Sequence, residues 1–164
     1  MKIIQVVAAY IRQEGELLLV QQQGPHDPTP HWALPAGVVE AGELLTDALV
    51  REVLEETGLQ VRNPGHLVYV VQHANHVDDH LATTFCFEIG DWTGTVRPDD
   101  PDHIVLDARF LSFPDAISQL ESTLPLRVMR EPIIAYLRGE ARPGGGWFYR
   151  TQSDGVVQLV TRLD

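Results

Sequence analysis

Cysteine is almost absent from this chain of 164 residues, where Cys86 stands alone. A single thiol excludes an intrachain disulfide and any zinc site built from cysteines. No apolar run approaches the ~18 residues that a membrane-crossing helix needs. The N-terminal stretch Met1 to Gln5 leads into polar Arg12-Gln13-Glu14 before a signal-peptide core can form. The expectation is a cytoplasmic protein with no membrane partner. Positive charge is also scarce, 12 Lys and Arg against 23 Asp and Glu, for a formal net charge of −11. Such a surface repels phosphate backbones, which argues against nucleic-acid polymers and anionic bilayers as partners. A small phosphorylated substrate remains compatible if a metal ion bridges the like charges. What is present is ordinary globular material, 44% hydrophobic and 21% charged, enough to bury the core of one domain.

Residues 3–11 and 17–20 are apolar runs on either side of Glu14-Gly15, and they predict a β-hairpin with Gln21 to Gln23 as its polar exit. A helical period runs over 44–57, with Leu45, Ala48, Leu49 and Val53 on one stripe and Gly58 as the stop. Strands are expected over 66–72, 81–89 and 105–111, and a mobile acidic loop with one short strand over 90–103. Helices are expected over 114–120 and 125–137, with a kink or break at Pro132. Arg142-Pro143-Gly144-Gly145-Gly146 reads as a linker, followed by a hairpin about Ser153-Asp154-Gly155. The expected organisation is a main domain over 1–141. Residues 142–164 would be a Gly-rich linker and a hairpin packed on the same domain or on a partner subunit. Strands and helices mixed without strict alternation predict an α+β sandwich around a mixed sheet.

The helix over 44–57 carries an unusual face. Glu52, Glu55 and Glu56 project together near its C-terminal end, where the helix dipole is already negative. A hard divalent cation would relieve that repulsion, and clustered carboxylate oxygens suit Mg²⁺. A solvated acidic face is the competing reading of these three residues taken alone.

Their surroundings carry more information. From Gly37 the chain reads five residues to Glu43, seven more, and then Arg51-Glu52-Val53-Leu54-Glu55-Glu56-Thr57-Gly58-Leu59. This segment resembles the Nudix box of the Nudix (MutT-like) hydrolase superfamily at each of its nine specified positions, over 23 residues of the chain. Trp32-Ala33-Leu34-Pro35 leads into it as in that family. The resemblance implies an α/β/α sandwich with the mixed sheet between helices. It also implies hydrolysis of the pyrophosphate bond in a nucleoside diphosphate linked to another moiety, with Mg²⁺, or Mn²⁺ in its place. Glu52, Glu55 and Glu56 would then be metal ligands, joined by a backbone carbonyl near Ala36 or Gly37. Glu43 and Arg51 would pair to orient the helix, completing the catalytic set, and Gly37 and Gly58 would permit tight turns at the two ends of the box. The proton acceptor is left open between Glu52 and a loop acid among Asp99, Asp100 and Asp102.

Substrate identity lies outside the box. Leu34-Pro35-Ala36-Gly37 resembles the variant found in ADP-ribose pyrophosphatases. The residues beyond the box, including His73-Ala74-Asn75 and Val77, lack the markers of the ADP-ribose and dinucleoside-polyphosphate groups. Trp32, Tyr10 and Phe85 could stack a base but read more readily as core. His73, His76 and His80 fit no ligand spacing and read as a polar loop, and Cys86 reads as a buried inert thiol. The partner is a small nucleotide derivative, with a homodimer as the resemblance's common assembly. A non-catalytic nucleotide-sensing module is the alternative function, disfavoured by the completeness of the box. The cysteine-dependent isomerase branch is disfavoured by a lone strand-borne thiol.

Overall fold

The computed structural model describes residues 1–164. The chain forms β1 (Lys2–Tyr10), β2 (Arg12–Gln13), β3 (Glu16–Gln22), β4 (His31–Ala33), β5 (Ala36–Val38) and α1 (Leu45–Thr57). It continues with β6 (Gln60–Asn63), β7 (Leu67–Asn75), β8 (His80–Glu88), β9 (Asp91–Thr93) and β10 (Val105–Ser112). It ends with α2 (Phe113–Thr123), α3 (Arg127–Leu137), β11 (Gly145–Thr151) and β12 (Val157–Leu163).

A six-stranded sheet runs in the order β12-β11-β7-β8-β1-β5. It is mixed, with β1 parallel to β8, β11 parallel to β7, and the other neighbours antiparallel. A second sheet joins β10, β3 and β2, with β4 pairing residues 20–22 of β3 beyond the end of β2. Side chains alternate across a strand, so one strand can serve two cores. In β1 and its exit, Val7, Ala9 and Ile11 face the cluster built on Ala48, Leu49 and Val53 of α1. The intervening Ala8 and Tyr10 face the cluster that contains Ala116 and Leu120 of α2 and Ile133 and Ile134 of α3. Strand β3 divides in the same way, Leu18 to the first cluster and Leu17 and Leu19 to the second. Helix α1 on one side and α2 with α3 on the other complete the α+β sandwich, with the sheets between them.

Four sequence readings need correction. The hairpin expected over residues 3–20 is not one unit, because β1 and β3 lie in different sheets. Only β2 and β3 pair across Glu14 and Gly15, both at positive φ (46° and 82°), the geometry of a tight hairpin turn. Strand β1 is buried on both faces over residues 7–10 and takes a nine-residue parallel ladder to β8 instead. Helix α3 runs through Pro132 unbroken, with that ring buried in the core and the Arg127–Glu131 pair bridging the turn at 2.7 Å. The glycine linker is partly strand, since Gly145 and Gly146 pair with Tyr69 and Val70 of β7. Finally, His73 and His80 lie in β7 and β8, where Asn75 opposes His80, so the polar loop shrinks to residues 76–79.

The core readings of Tyr10, Trp32 and Cys86 agree with the structure, whereas Phe85 is half-buried and lies in neither core cluster. Tyr10 is buried and packs edge-to-face on Tyr136 at 5.2 Å, and Trp32 is buried as well. Cys86 is fully buried, and that burial pushes its thiol up to about 12. No helix is long and apolar enough to cross a membrane.

Candidate active site

Helix α1 presents its functional side chains from a scaffold closed at its C-terminal end. At its C-terminus Gly58 adopts φ 80° and its N–H bonds to the Leu54 carbonyl. The following acidic loop then satisfies two of the last carbonyls, Arg97 N–H bonding to Thr57 O at 2.8 Å and Asp99 N–H to Glu55 O at 3.0 Å. A Cβ on Gly58 would meet the Arg97 carbonyl at 2.5 Å, so glycine is required by steric contact as well as by φ. The loop holding Asp99 to Asp102 is thereby anchored beside the helix.

Arg51 organises the front of the site. Its Nε and Nη2 donate to the two oxygens of Glu43 at 3.0 and 2.9 Å, a bidentate fork. Nη1 donates to Glu52 at 2.6 Å and lies 3.7 Å from Glu55, while Nη2 also reaches the Val38 carbonyl at 3.1 Å. Glu43 accepts the Glu40 N–H too, and these bonds hold its carboxyl below the usual carboxylate range.

Glu52 folds over Gly37, where a Cβ would stand 1.9 Å from its carboxyl carbon. This corrects the expected role of Gly37. It does not turn the chain at positive φ but pairs with Val7 in β5, and its missing side chain is the space that Glu52 occupies. Burial raises the Glu52 carboxyl pKa against the opposing pull of Arg51.

Glu56 is buried, 8% exposed, and accepts the Ala36 N–H at 2.9 Å and the Gln22 amide at 3.2 Å. Burial, with the charges of Glu52 and Asp100 adding to it, pushes the carboxyl up to about 8. Gln22 is a site residue that the sequence reading missed. Its only signal was the polar Gln21 to Gln23 exit of an apolar strand.

Glu52 and Glu56 share a cleft of about 360 Å³ with Gln22, Gly37, Asp100 and Asp102. Glu55 lines the neighbouring groove with Arg97 and Asp99. The carboxylates therefore do not form a ready-made cage of three metal-ligating side chains. The chemistry of the donors nonetheless fits a hard divalent ion, because the cleft offers carboxylate oxygens whose ionised form lacks compensation from any cation but Arg51. Asp100 spends its oxygens on its own loop, accepting from Asp102, Ile104 and Val105 N–H groups at 3.0, 2.7 and 3.0 Å. Burial works against it, but those bonds hold it below the ordinary aspartate range. Asp102 lines the cleft without such a commitment of its carboxylate.

A carboxylate cleft framed by a glycine-backed loop and a helix, on a mixed-sheet sandwich, defines a class of phosphoanhydride hydrolase. The chain belongs to the NUDIX domain family, whose model matches residues 1–132. It is a pyrophosphohydrolase of that MutT-like group, which acts on small nucleotide derivatives and generally uses divalent metals. It is 33% identical over 135 residues to the CTP pyrophosphohydrolase of Escherichia coli K12, covering 79% of this chain and 98% of that protein. A 53-residue segment is 47% identical to the NAD-capped RNA hydrolase NudC of Photobacterium profundum, but spans only 19% of that protein and 32% of this one. Among solved structures it resembles the E. coli ORF135 protein, at TM-score 0.67 and 29% identity, covering 85% of this chain and 94% of that one. A NUDIX hydrolase from Nitrosomonas europaea is similar at TM-score 0.68 and 26% identity, covering 87% of this chain and 93% of that one.

Proposed function

We propose that this protein hydrolyses the pyrophosphate bond of a nucleoside diphosphate linked to another moiety in a Mg²⁺-dependent reaction, Mn²⁺ being a substitute, and that a nucleoside triphosphate is its substrate. The observation that carries the reading is the Arg51 network, which fixes Glu43 and Glu52 in one geometry while Glu56 is held separately against Ala36. The triphosphate is favoured by the likeness to the E. coli CTP pyrophosphohydrolase, which extends over nearly all of that protein.

Glu52, Glu55 and Glu56 would hold the metal, with a main-chain carbonyl near Ala36 or Gly37. A bound Mg²⁺ would neutralise phosphate oxygens and acidify a water. Arg51 is already engaged by Glu43, Glu52 and Val38, so its part is to position Glu52, not to grip phosphate. The water's proton goes to Glu52 or to Asp102, which both line the cleft and whose carboxylates accept no main-chain N–H bond. Asp100 is excluded from that role by its three N–H bonds.

Residues 1–141 form the catalytic unit in this proposal, and 142–164 are an extension built onto the same sheet. The β11–β7 ladder within the chain supports packing of that extension on its own domain and not on a partner subunit.

The test is phosphate release from nucleoside triphosphates, ADP-ribose, nucleotide sugars and dinucleoside polyphosphates, with Mg²⁺ or with EDTA. Glu56→Gln keeps the side-chain volume and removes a charged ligand. It should abolish metal-dependent turnover while the melting transition persists. Full activity in that variant would overturn the metal assignment.

A further inference from the structure

A second cavity, of about 250 Å³, lies directly behind the carboxylate cleft, and Ala36 lines both. Its floor is the face of the main sheet, where register sets Ala36, Ala8 and Cys86 in one row and Val6, Thr84 and Val71 in the next. Its outer wall is the α2–α3 junction, where Leu126 and Met129 are exposed apolar side chains at the rim. No Asp, Glu, Lys or Arg lines it. A phosphate has no cationic partner there, while a flat uncharged ring gains from apolar contact on both faces. The volume is below the ~300–1,000 Å³ of pockets that engulf a whole drug-sized ligand, so it suits one ring system and not a second nucleotide.

The polar end of this cavity is a pair of histidines. His73 and His80 meet edge-to-face, with ring centroids 5.9 Å apart. The Nε2 of His73 is 2.7 Å from the Thr151 hydroxyl, a group that can rotate to donate or accept. That contact fixes the imidazole plane and leaves Nδ1 as the ring nitrogen free for a ligand. Thr151 is buried, and it belongs to β11, outside the residues 1–132 matched by the family.

We propose that this cavity receives the uncharged heterocycle of the substrate, and that Thr151 of the C-terminal hairpin is a positioning residue that orients His73 to read the edge of that ring. The inference rests on the nucleotide-hydrolase reading above and deepens it. The hairpin is then part of the specificity apparatus. His73 and His80 discriminate between bases, while the reacting phosphates stay on the far side of Ala36.

The test uses the full chain and two independent readouts. The first is steady-state hydrolysis of CTP, UTP, ATP and GTP with Mg²⁺ by wild type, Thr151→Val, Thr151→Ser and His73→Ala. Thr151→Val removes one hydrogen bond at constant volume. It should raise KM for the preferred nucleotide about three- to tenfold, with kcat unchanged and the spread among bases narrowed. Thr151→Ser should restore both. The second readout is titration of the EDTA-treated protein with the four nucleosides, which lack phosphate, following the imidazole NMR signals of His73 and His80. At least one nucleoside should shift both signals in wild type, and less strongly in Thr151→Val. Unchanged KM and base preference in Thr151→Val and His73→Ala would overturn the proposal, as would failure of serine to rescue. If wild type turns over no nucleotide, the hydrolase reading fails. The nucleoside titration then still decides the pocket, because an unshifted His73 with all four nucleosides rejects it.

Discussion

At the scale of single residues the site depends on one guanidinium. Arg51 supplies a planar fork to Glu43 and a third donor to Glu52, and a lysine cannot reproduce that geometry although it keeps the charge. Arg51→Lys should therefore lower kcat about 10- to 100-fold, the usual cost of losing a group that orients a metal ligand. Far-UV circular dichroism should be unchanged. A near-wild-type kcat would show that Glu52 needs no such support.

Glu56 gives a prediction in pH. Burial raises its folded-state value to about 8, above the unfolded carboxylate range, so the folded state binds the extra proton. Its contribution to stability is fully present below the unfolded pKa and is lost as pH rises through about 8. Denaturant unfolding of EDTA-treated protein should show stability falling by on the order of a few kcal/mol between pH 5 and pH 8. Glu56→Gln should flatten that dependence. A wild-type profile without slope would mean that the carboxyl is ionised in the fold at all these pH values.

At the scale of elements, α1 and the acidic loop act as one body. The two main-chain bonds from residues 97 and 99 to the helix end keep Asp102 at the cleft. Gly58→Ala would put a Cβ 2.5 Å from the Arg97 carbonyl at φ 80°. It should destabilise the protein by at least about 1 kcal/mol and uncouple the loop, read as a lower denaturant midpoint and faster amide exchange at residues 97–99. The helix itself was legible in sequence, because its apolar stripe and its Gly58 stop are local signals. The loop's order was not, since it rests on Asp100 bonding to the N–H groups of Ile104 and Val105 and on a helix end some forty residues earlier. The reading of β1 and β3 as one hairpin failed for a related reason. Two apolar runs about a turn predict pairing, but strands buried on both faces are placed by the cores on each side.

At the scale of the whole molecule, the C-terminal hairpin is structural. β11 covers the edge of β7, and its Trp147 and Tyr149 are both 3% exposed in the larger core. Deleting residues 143–164 would uncover a row of unpaired β7 backbone groups and remove those two aromatics from the core. The truncated chain should be recovered as aggregate. Recovery of soluble, active protein would show instead that residues 1–141 complete their own core. The net charge of −11 also belongs to this scale. It bears on which large partners are repelled, and has no part in the fold.

The sequence by itself determined the box, the helix that carries it, the carboxylates and their Arg51 partner. The helix and the shared face of its carboxylates depend on residues a few turns apart, where spacing fixes the face, while the box and the Glu43–Arg51 pairing came from the family resemblance. Tertiary structure decided that Gly37 is needed as space for Glu52, that Gln22 reaches Glu56, and that Thr151 meets His73. Those contacts join residues 15, 34 and 78 positions apart. Only strand order and register bring them together, and no local periodicity encodes which strands become neighbours.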